Sequence, residues 1–506
     1  MTAEPGMAPP GLDPEPGALA KLVRKGLGWS FLNTMVGRIG TVLTGILLAR
    51  ILVPEDYGVF AVALVALNAL LSMNELGVSL AIVRWPGDLD RIAPTVTTLA
   101  LGSSVLLYGA CWVTAPWLSE TMGAPEATPI LRLLGLGAII DGATAVPAAL
   151  LARTFRQKQR LIADFISFGI STALTIGLAA AGFGAWSLAW GRLAGNGIAA
   201  VAFFLLTPRR WKPGWDAGQA KALLAFGLPL AGSSLLVFGM LNVDSIIIGS
   251  VLGPVALGFY SMAFNLSSWP VNVFSVVVRR VALAGFSRLA DDPVRLRDGF
   301  VNSMALLMAV TLPVCVLLGV LAEPLVRFVY GDKWAPAAVA LQWLAVLGAV
   351  RVAAELAYDL LVAVGRSRAT MWLQAVWTLS LVPALAIGAR LDGVGGVGLG
   401  HALVAGLLIT PAYAVAVRRS GVPLRALAAG LARPVAAGAA VAVVAAGSLV
   451  LVPGTFAQLA VAGVLGFAVW AALIAPMRHL LRTGTDQEEA AAIDAEAAGL
   501  SSAAGT

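Results

Sequence analysis

Charge is what this chain has least of. Only 12% of its 506 residues are Asp, Glu, Lys or Arg, against 59% apolar. A soluble globular chain carries about 25% charged residues, so a water-facing surface over a chain of this length is excluded. Histidine is nearly absent: His401 and His479 stand far apart in sequence. Neither a metal-ligand cluster nor a Ser/His/Asp arrangement can be assembled from them, so no metal and no hydrolytic enzyme chemistry is expected. The two cysteines, Cys111 and Cys315, both lie in apolar runs. They read as small buried side chains, implying neither a disulfide nor a metal site. No phosphate-binding Gly-x-x-x-x-Gly-Lys loop occurs, so the chain is not by itself an ATP-driven pump. Residues 1–20 are rich in Pro and Gly and carry Glu4, Asp13 and Glu15. Without a basic start and a cleavage site they read as a disordered tail and not a secretory signal.

What remains is one long apolar run after another. About 20 apolar residues at 1.5 Å rise cross the hydrocarbon of a bilayer. About fourteen such runs recur, from near Gly28 to near Met477. Alternating segments of about ten residues, the mark of a transmembrane barrel, are not the pattern. The reading is an all-α polytopic membrane protein. The net charge of +7 follows from topology: about 25 of the 34 Lys and Arg sit on alternate connections or before the first span, and about three (Arg327, Lys333 and Arg390) on the others. Cytoplasmic loops carry the Lys/Arg excess. Both termini are therefore expected in the cytoplasm, the multi-pass chain lying in the plasma (inner) membrane. Residues 483–506 form a second, acidic tail, and no soluble domain is inserted between spans.

The chain also repeats itself. Pro54-Glu55-Asp56-Tyr57-Gly58 returns 200 residues later as Pro254-Val255-Ala256-Leu257-Gly258. Pro cannot continue a helix from the preceding turn, and Gly tolerates tight backbone geometry. Both copies therefore read as a short turn between two helices, and the chain as two similar halves. Asn68, Ser72, Glu75 and Ser79 share one helical face, matched at the same offset by Ser268, Asn272 and Ser275. Asn33 and Thr41 lie on a polar face of the first span, matched by Ser233, Ser234 and Asp244 on the seventh. Pro116 and Gly123 return as Pro324 and Gly331. An even number of spans separates the halves, so a pseudo-two-fold axis along the membrane normal is expected. Polar stripes in hydrocarbon must be satisfied by neighbouring helices or by water. Their matched positions point to the wall of a watered cavity.

A charge at mid-bilayer costs about 2.5–3.5 kcal/mol on insertion scales. Arg38 falls at the middle of the first span; Arg351, Glu355, Tyr358 and Asp359 share a face of the tenth, where Arg351 and Glu355 can pair. The two midplane arginines are expected to hold an anionic head group. Glu75, Asp141, Asp244, Glu355 and Asp359 are the carboxylates placed to carry a coupling ion. Arg192 and His401 read as structural.

Several stretches carry a resemblance. Leu47-Leu48-Ala49-Arg50-Ile51-Leu52-Val53-Pro54-Glu55-Asp56-Tyr57-Gly58 resembles the motif closing the first span of polysaccharide transporter flippases (Wzx-type, WzxC-like) of the MATE/MOP superfamily. Leu150-Leu151-Ala152-Arg153-Thr154-Phe155, Asn242-Val243-Asp244 and Tyr330-Gly331-Asp332-Lys333-Trp334 support it. The resemblance implies two six-helix lobes around a central cavity plus two C-terminal helices: residues 21–212, 213–420 and 421–482. It implies alternating access that carries an undecaprenyl-diphosphate-linked oligosaccharide from the cytoplasmic to the outer leaflet. Expected partners are that lipid-linked oligosaccharide, the membrane, and glycosyltransferases and a polymerase of the same pathway, with no nucleic acid. Expected binding residues are Arg38, Arg351, Asn33, Thr41, Asn68, Ser72, Ser268 and Asn272. No cofactor is expected; the coupling ion is open between proton and sodium. A lipid II-type flippase or a MATE-like multidrug exporter is the alternative.

Overall fold

The computed structural model describes residues 40–74, 89–153, 157–207, 212–271 and 292–477, together with Gly37, Ala282 and residues 285–289. Arg38, Asn33, Glu75 and Asn272 lie outside them. The described chain is helical from end to end: α1 (Gly40–Ile51), α2 (Pro54–Asn74), α3 (Leu89–Thr121), α4 (Ala127–Arg153), α5 (Gln157–Ala180), α6 (Ala185–Leu206), α7 (Ala217–Leu252), α8 (Pro254–Ser267), α9 (Pro293–Val320), α10 (Ala322–Tyr330), α11 (Ala337–Ala363), α12 (Ser367–Leu403), α13 (Thr410–Arg419), α14 (Leu424–Leu451) and α15 (Thr455–Ile474). Among the described residues, eleven stretches are long and apolar enough to cross a membrane. One of these, Ser367–Arg419, is two spans in one. Its helix breaks at Asp392–Gly393, where Gly393 takes φ 55°, and the chain turns back. The turn is tight: a Cβ on Gly388 would stand 2.2 Å from the Gly396 carbonyl oxygen.

Cα packing divides the chain into two units, residues 1–51, 70–113 and 132–234, and residues 52–69, 114–131 and 235–506. In the first, α5 and α6 form a hairpin whose turn places Gly182 and Gly184 at φ 84° and 51°. The helices touch backbone to side chain. Ser167 donates to the Gly195 carbonyl at 2.5 Å and Ser171 to that of Gly191 at 2.7 Å. A Cβ on Gly191 would overlap the Thr175 hydroxyl at 1.7 Å. Lipid tails are as apolar as the side chains they would replace, so close packing and inter-helix hydrogen bonds drive such pairs. Ile92, Val96, Val146, Leu150 and Leu223 form a buried cluster in the same unit.

In the second unit the two copies of the repeat meet each other; Pro54 and Pro254 open α2 and α8, so each Pro-x-x-x-Gly is the first turn of a helix, and the break between helices falls just before the proline. A Cβ on Gly58 would stand 1.9 Å from the Pro254 carbonyl oxygen, and one on Gly258 would stand 2.4 Å from that of Pro54. The two copies thus cross backbone to backbone at their glycines. Trp334 is fully buried beside this crossing. Tyr57 and Phe259 meet its ring edge-on at 5.1 and 6.0 Å. Lys333 donates to the Leu52 carbonyl at 2.7 Å, where α1 ends. Gly123 and Gly331, the second repeated pair, both adopt positive φ, 68° and 98°. α14 and α15 pack on α9 and on each other, with the Trp470 indole donating to the Ala309 carbonyl at 2.7 Å. The outward faces of the long helices stay apolar: Val450, Leu451 and Leu391 are 80% exposed or more.

Candidate functional site

A cavity of about 800 Å³ lies within the second unit. That is within the range of ligand pockets, about 300–1,000 Å³. Its walls come from α7, α8, α11, α12 and α13. α11 contributes Arg351, Glu355 and Tyr358, one helical face of the kind its spacing requires. α7 contributes Asn242 and Asp244, α8 Asn265 and Ser268, α12 Gln374, Trp377 and His401, and α13 Tyr413.

Arg351 is half-buried. Among the described residues its guanidinium makes no salt bridge, although Glu355 lies one turn away on the same wall. A guanidinium cannot lose its charge, and among membrane-length helices it is costly without a partner. An arginine that faces a cavity and makes no salt bridge among the described residues is therefore ready to receive an anion.

Asp244 and His401 are 5% exposed, and Tyr260 stands behind them at 1%. The Tyr260 hydroxyl donates to Asp244 Oδ2 at 2.6 Å and lies 3.0 Å from His401 Nε2. The Tyr260 ring stacks on Phe264, centroid to centroid 5.7 Å. His401, read from sequence as structural, thus lines the cavity, and Tyr260, matched in sequence to Phe60 by the repeat but given no role in the site, stands behind it.

Of the expected residues, Arg351, Ser268, Asp244 and Glu355 are brought together here. Asp359 is buried at 3% exposure on the same helix, outside the lining. Asn68 and Ser72 are half-buried on α2 and do not line this cavity. Thr41 is exposed and donates to the Gly37 carbonyl of its own helix at 2.8 Å. Asp141 on α4, in the first unit, interacts electrostatically with Arg192 on α6.

Long apolar helices that enclose a charged hollow define a polytopic helical membrane protein built to accommodate a polar solute. The chain belongs to the polysaccharide biosynthesis protein family, whose model matches residues 47–339. It is 24% identical to the lipopolysaccharide biosynthesis protein WzxC of Escherichia coli over 75% of this chain and 77% of that one. It is 27% identical to the succinoglycan biosynthesis transport protein ExoT of Rhizobium meliloti over 74% and 76%. In fold it is similar to the lipid II flippase MurJ in an inward closed conformation, with a TM-score of 0.71, 14% identity, and 89% and 99% of the two chains covered. An inward-facing multidrug resistance MATE family transporter of the MOP superfamily gives 0.56 at 19% identity, covering 76% and 94%.

Proposed function

We propose that this protein is a flippase, not an enzyme, that carries an undecaprenyl-diphosphate-linked oligosaccharide from the cytoplasmic to the outer leaflet of the bacterial plasma membrane. Two lobes, residues 21–212 and 213–420, alternate between inward and outward opening, with residues 421–482 as two added helices and both termini in the cytoplasm. The observation that carries this reading is Arg351, a cation that makes no salt bridge among the described residues, in a cavity among membrane-length helices. Its natural ligand is the diphosphate, held by charge-assisted hydrogen bonds, with Arg38 as the second anchor. Asn242, Asn265, Ser268 and Gln374 offer hydrogen bonds to sugar hydroxyls, and Trp377 a face on which a ring can stack. The relatives' names add the chemistry of the load: one serves lipopolysaccharide biosynthesis and another succinoglycan transport. Asp244 and Glu355 are the carboxylates of this cavity through which an ion gradient can act; Glu75, Asp141 and Asp359 remain candidates elsewhere.

The test is flipping of a defined lipid-linked oligosaccharide in proteoliposomes. Arg351→Ala is expected to abolish flipping with thermal stability unchanged, and Arg351→Lys to restore part of it. Full flipping by Arg351→Ala refutes the assignment.

A further inference from the structure

The helix that carries His401 does not run on as a regular α-helix. Between α12 and α13, Val404–Ile409 forms one π-helical turn. Such turns are rare and frequently mark functional sites. The local cause is readable in the sequence. Pro411, in the first turn of α13, has no N–H, so the Leu407 carbonyl cannot take its α-helical bond from that residue. Thr410 supplies the alternative. Its backbone N–H donates to the Ala405 carbonyl, five residues back, and its hydroxyl donates to the same oxygen at 2.9 Å.

The other half of the chain shows the same segment wound differently. Gly184 and Gly393 take nearly the same backbone angles, φ 51°, ψ −133° and φ 55°, ψ −132°, and a helix follows each. From these glycines to Arg209-Arg210 and to Arg418-Arg419 the two stretches are equally long, with Arg192 at the place of His401 and Ala202 at that of Pro411. Yet α6 is an unbroken α-helix from Ala185 to Leu206. The difference is one of winding and not of length.

Its effect is a rotation. Tyr413 follows His401 by twelve residues. At about 100° per residue, a regular helix would leave the two side chains about 120° apart. A π turn closes with one residue more, which takes up about 100° and leaves about 20°. His401 is fixed by Tyr260, whose ring stacks on it and whose hydroxyl lies 3.0 Å from its Nε2. Tyr413 is thereby brought onto the same wall, and both residues line the cavity. Tyr413 is 5% exposed and interacts electrostatically with Tyr358 and Glu355 of α11. Among the described residues its hydroxyl has no hydrogen-bond partner. A buried hydroxyl without a partner is costly, and one at a cavity wall is placed to be satisfied by a ligand.

We propose that Tyr413 binds the sugar part of the load and that the π turn at Val404–Ile409 is what places it on the wall. The proposal rests on the reading of this cavity as the site of a lipid-linked oligosaccharide. A phenol both gives and takes a hydrogen bond, as a sugar hydroxyl does. The acid Glu355 nearby disfavours a phosphate beside Tyr413 and suits a neutral polyol. The labour is then divided: Arg351 holds the diphosphate that all such lipids share, and Tyr413 reads what is attached to it.

The experiment measures binding of two probes to the full-length protein in nanodiscs: undecaprenyl diphosphate, and the same lipid carrying one glucose. Tyr413→Phe is expected to bind the glucosylated probe about three- to tenfold more weakly, the worth of one hydrogen bond, and the bare probe as wild type does. Thr410→Val with Pro411→Ala lets the segment wind as an α-helix and turns Tyr413 off the wall. That pair should show the same selective loss, and adding Tyr413→Phe to it should cost nothing further. Deletion of Gly406 removes the additional residue of the π turn and keeps the phase. A Cβ on Gly406 would meet nothing within 4 Å, so both probes should bind as to wild type. This keeps the placement falsifiable if the Thr410/Pro411 variant does not fold. Wild-type affinity for the glucosylated probe in Tyr413→Phe overturns the proposal. So do equal losses on both probes, a further loss when Tyr413→Phe joins the Thr410/Pro411 pair, or a selective loss in the Gly406 deletion. Each of these leaves the flippase reading standing. If wild type binds neither probe, that reading falls and the proposal with it.

Discussion

A methyl group added to Gly58 tests the crossing of the repeated turns most directly. Its Cβ would stand 1.9 Å from the Pro254 carbonyl oxygen and 2.4 Å from the carbonyl carbon, where real Cβ contacts essentially never fall below 3.0 Å. The obstacle is backbone, so no rotamer change relieves it. The two turns must separate by about an ångström, and the surroundings resist. Trp334 is fully buried between Tyr57 and Phe259, and Lys333 bonds the Leu52 carbonyl. Overpacking a close-packed site costs about 1–3 kcal/mol, occasionally more. Gly58→Ala is expected near 3 kcal/mol, at the top of that range, and Gly258→Ala, whose Cβ would reach the Pro54 oxygen at 2.4 Å, at about 1–2 kcal/mol. Both substitutions force the same separation, so the double variant is expected to lose less than the sum of the two. The assay is thermal unfolding of the purified protein in detergent. Gly239→Ala is the control: its Cβ meets nothing within 4 Å, and Ala favours a helix over Gly. Gly58→Ala melting together with Gly239→Ala, or strictly additive losses in the double variant, would refute the reciprocal contact.

Trp334→Ala is expected to cost about 3–5 kcal/mol, as for other buried aromatic truncations; a melting temperature close to wild type would show that the ring is not the keystone of this packing. Removing both hydroxyls of the α5–α6 hairpin, Ser167→Ala with Ser171→Ala, takes away two inter-helix hydrogen bonds. At about 0.6 kcal/mol each, the loss should be near 1 kcal/mol, and no measurable change would mean that packing at Gly191 and Gly195 carries the hairpin alone. The native cysteines are buried at 2% and 4% exposure and should not react with a membrane-impermeant maleimide. Ser367→Cys, at the exposed start of α12, should be labelled only from the cytoplasmic side; labelling from outside would invert the assigned orientation.

The order of spans was legible in the sequence because it depends on composition alone: a run of about 20 apolar residues is a membrane helix whatever surrounds it. The two Pro-x-x-x-Gly segments marked the helix breaks to within a residue or two because proline acts on its own backbone, but they are the first turns of α2 and α8 and not the links between helices, and that they meet at Gly58 and Gly258 is a matter of packing. Helical spacing grouped Arg351, Glu355, Tyr358 and Asp359 on one face; the first three line the cavity, and Asp359 is buried outside the lining. Which walls face each other is another matter. His401 looked like an isolated ring until α12 brought it to Tyr260, 141 residues away. Arg351 and Glu355, one turn apart, were free to pair, yet Arg351 makes no salt bridge among the described residues. Thr41 sits on a polar face and still bonds its own helix. Periodicity tells which residues share a face; only the packing of that face against four other helices decides whether it meets lipid, a neighbour or a hollow filled with water.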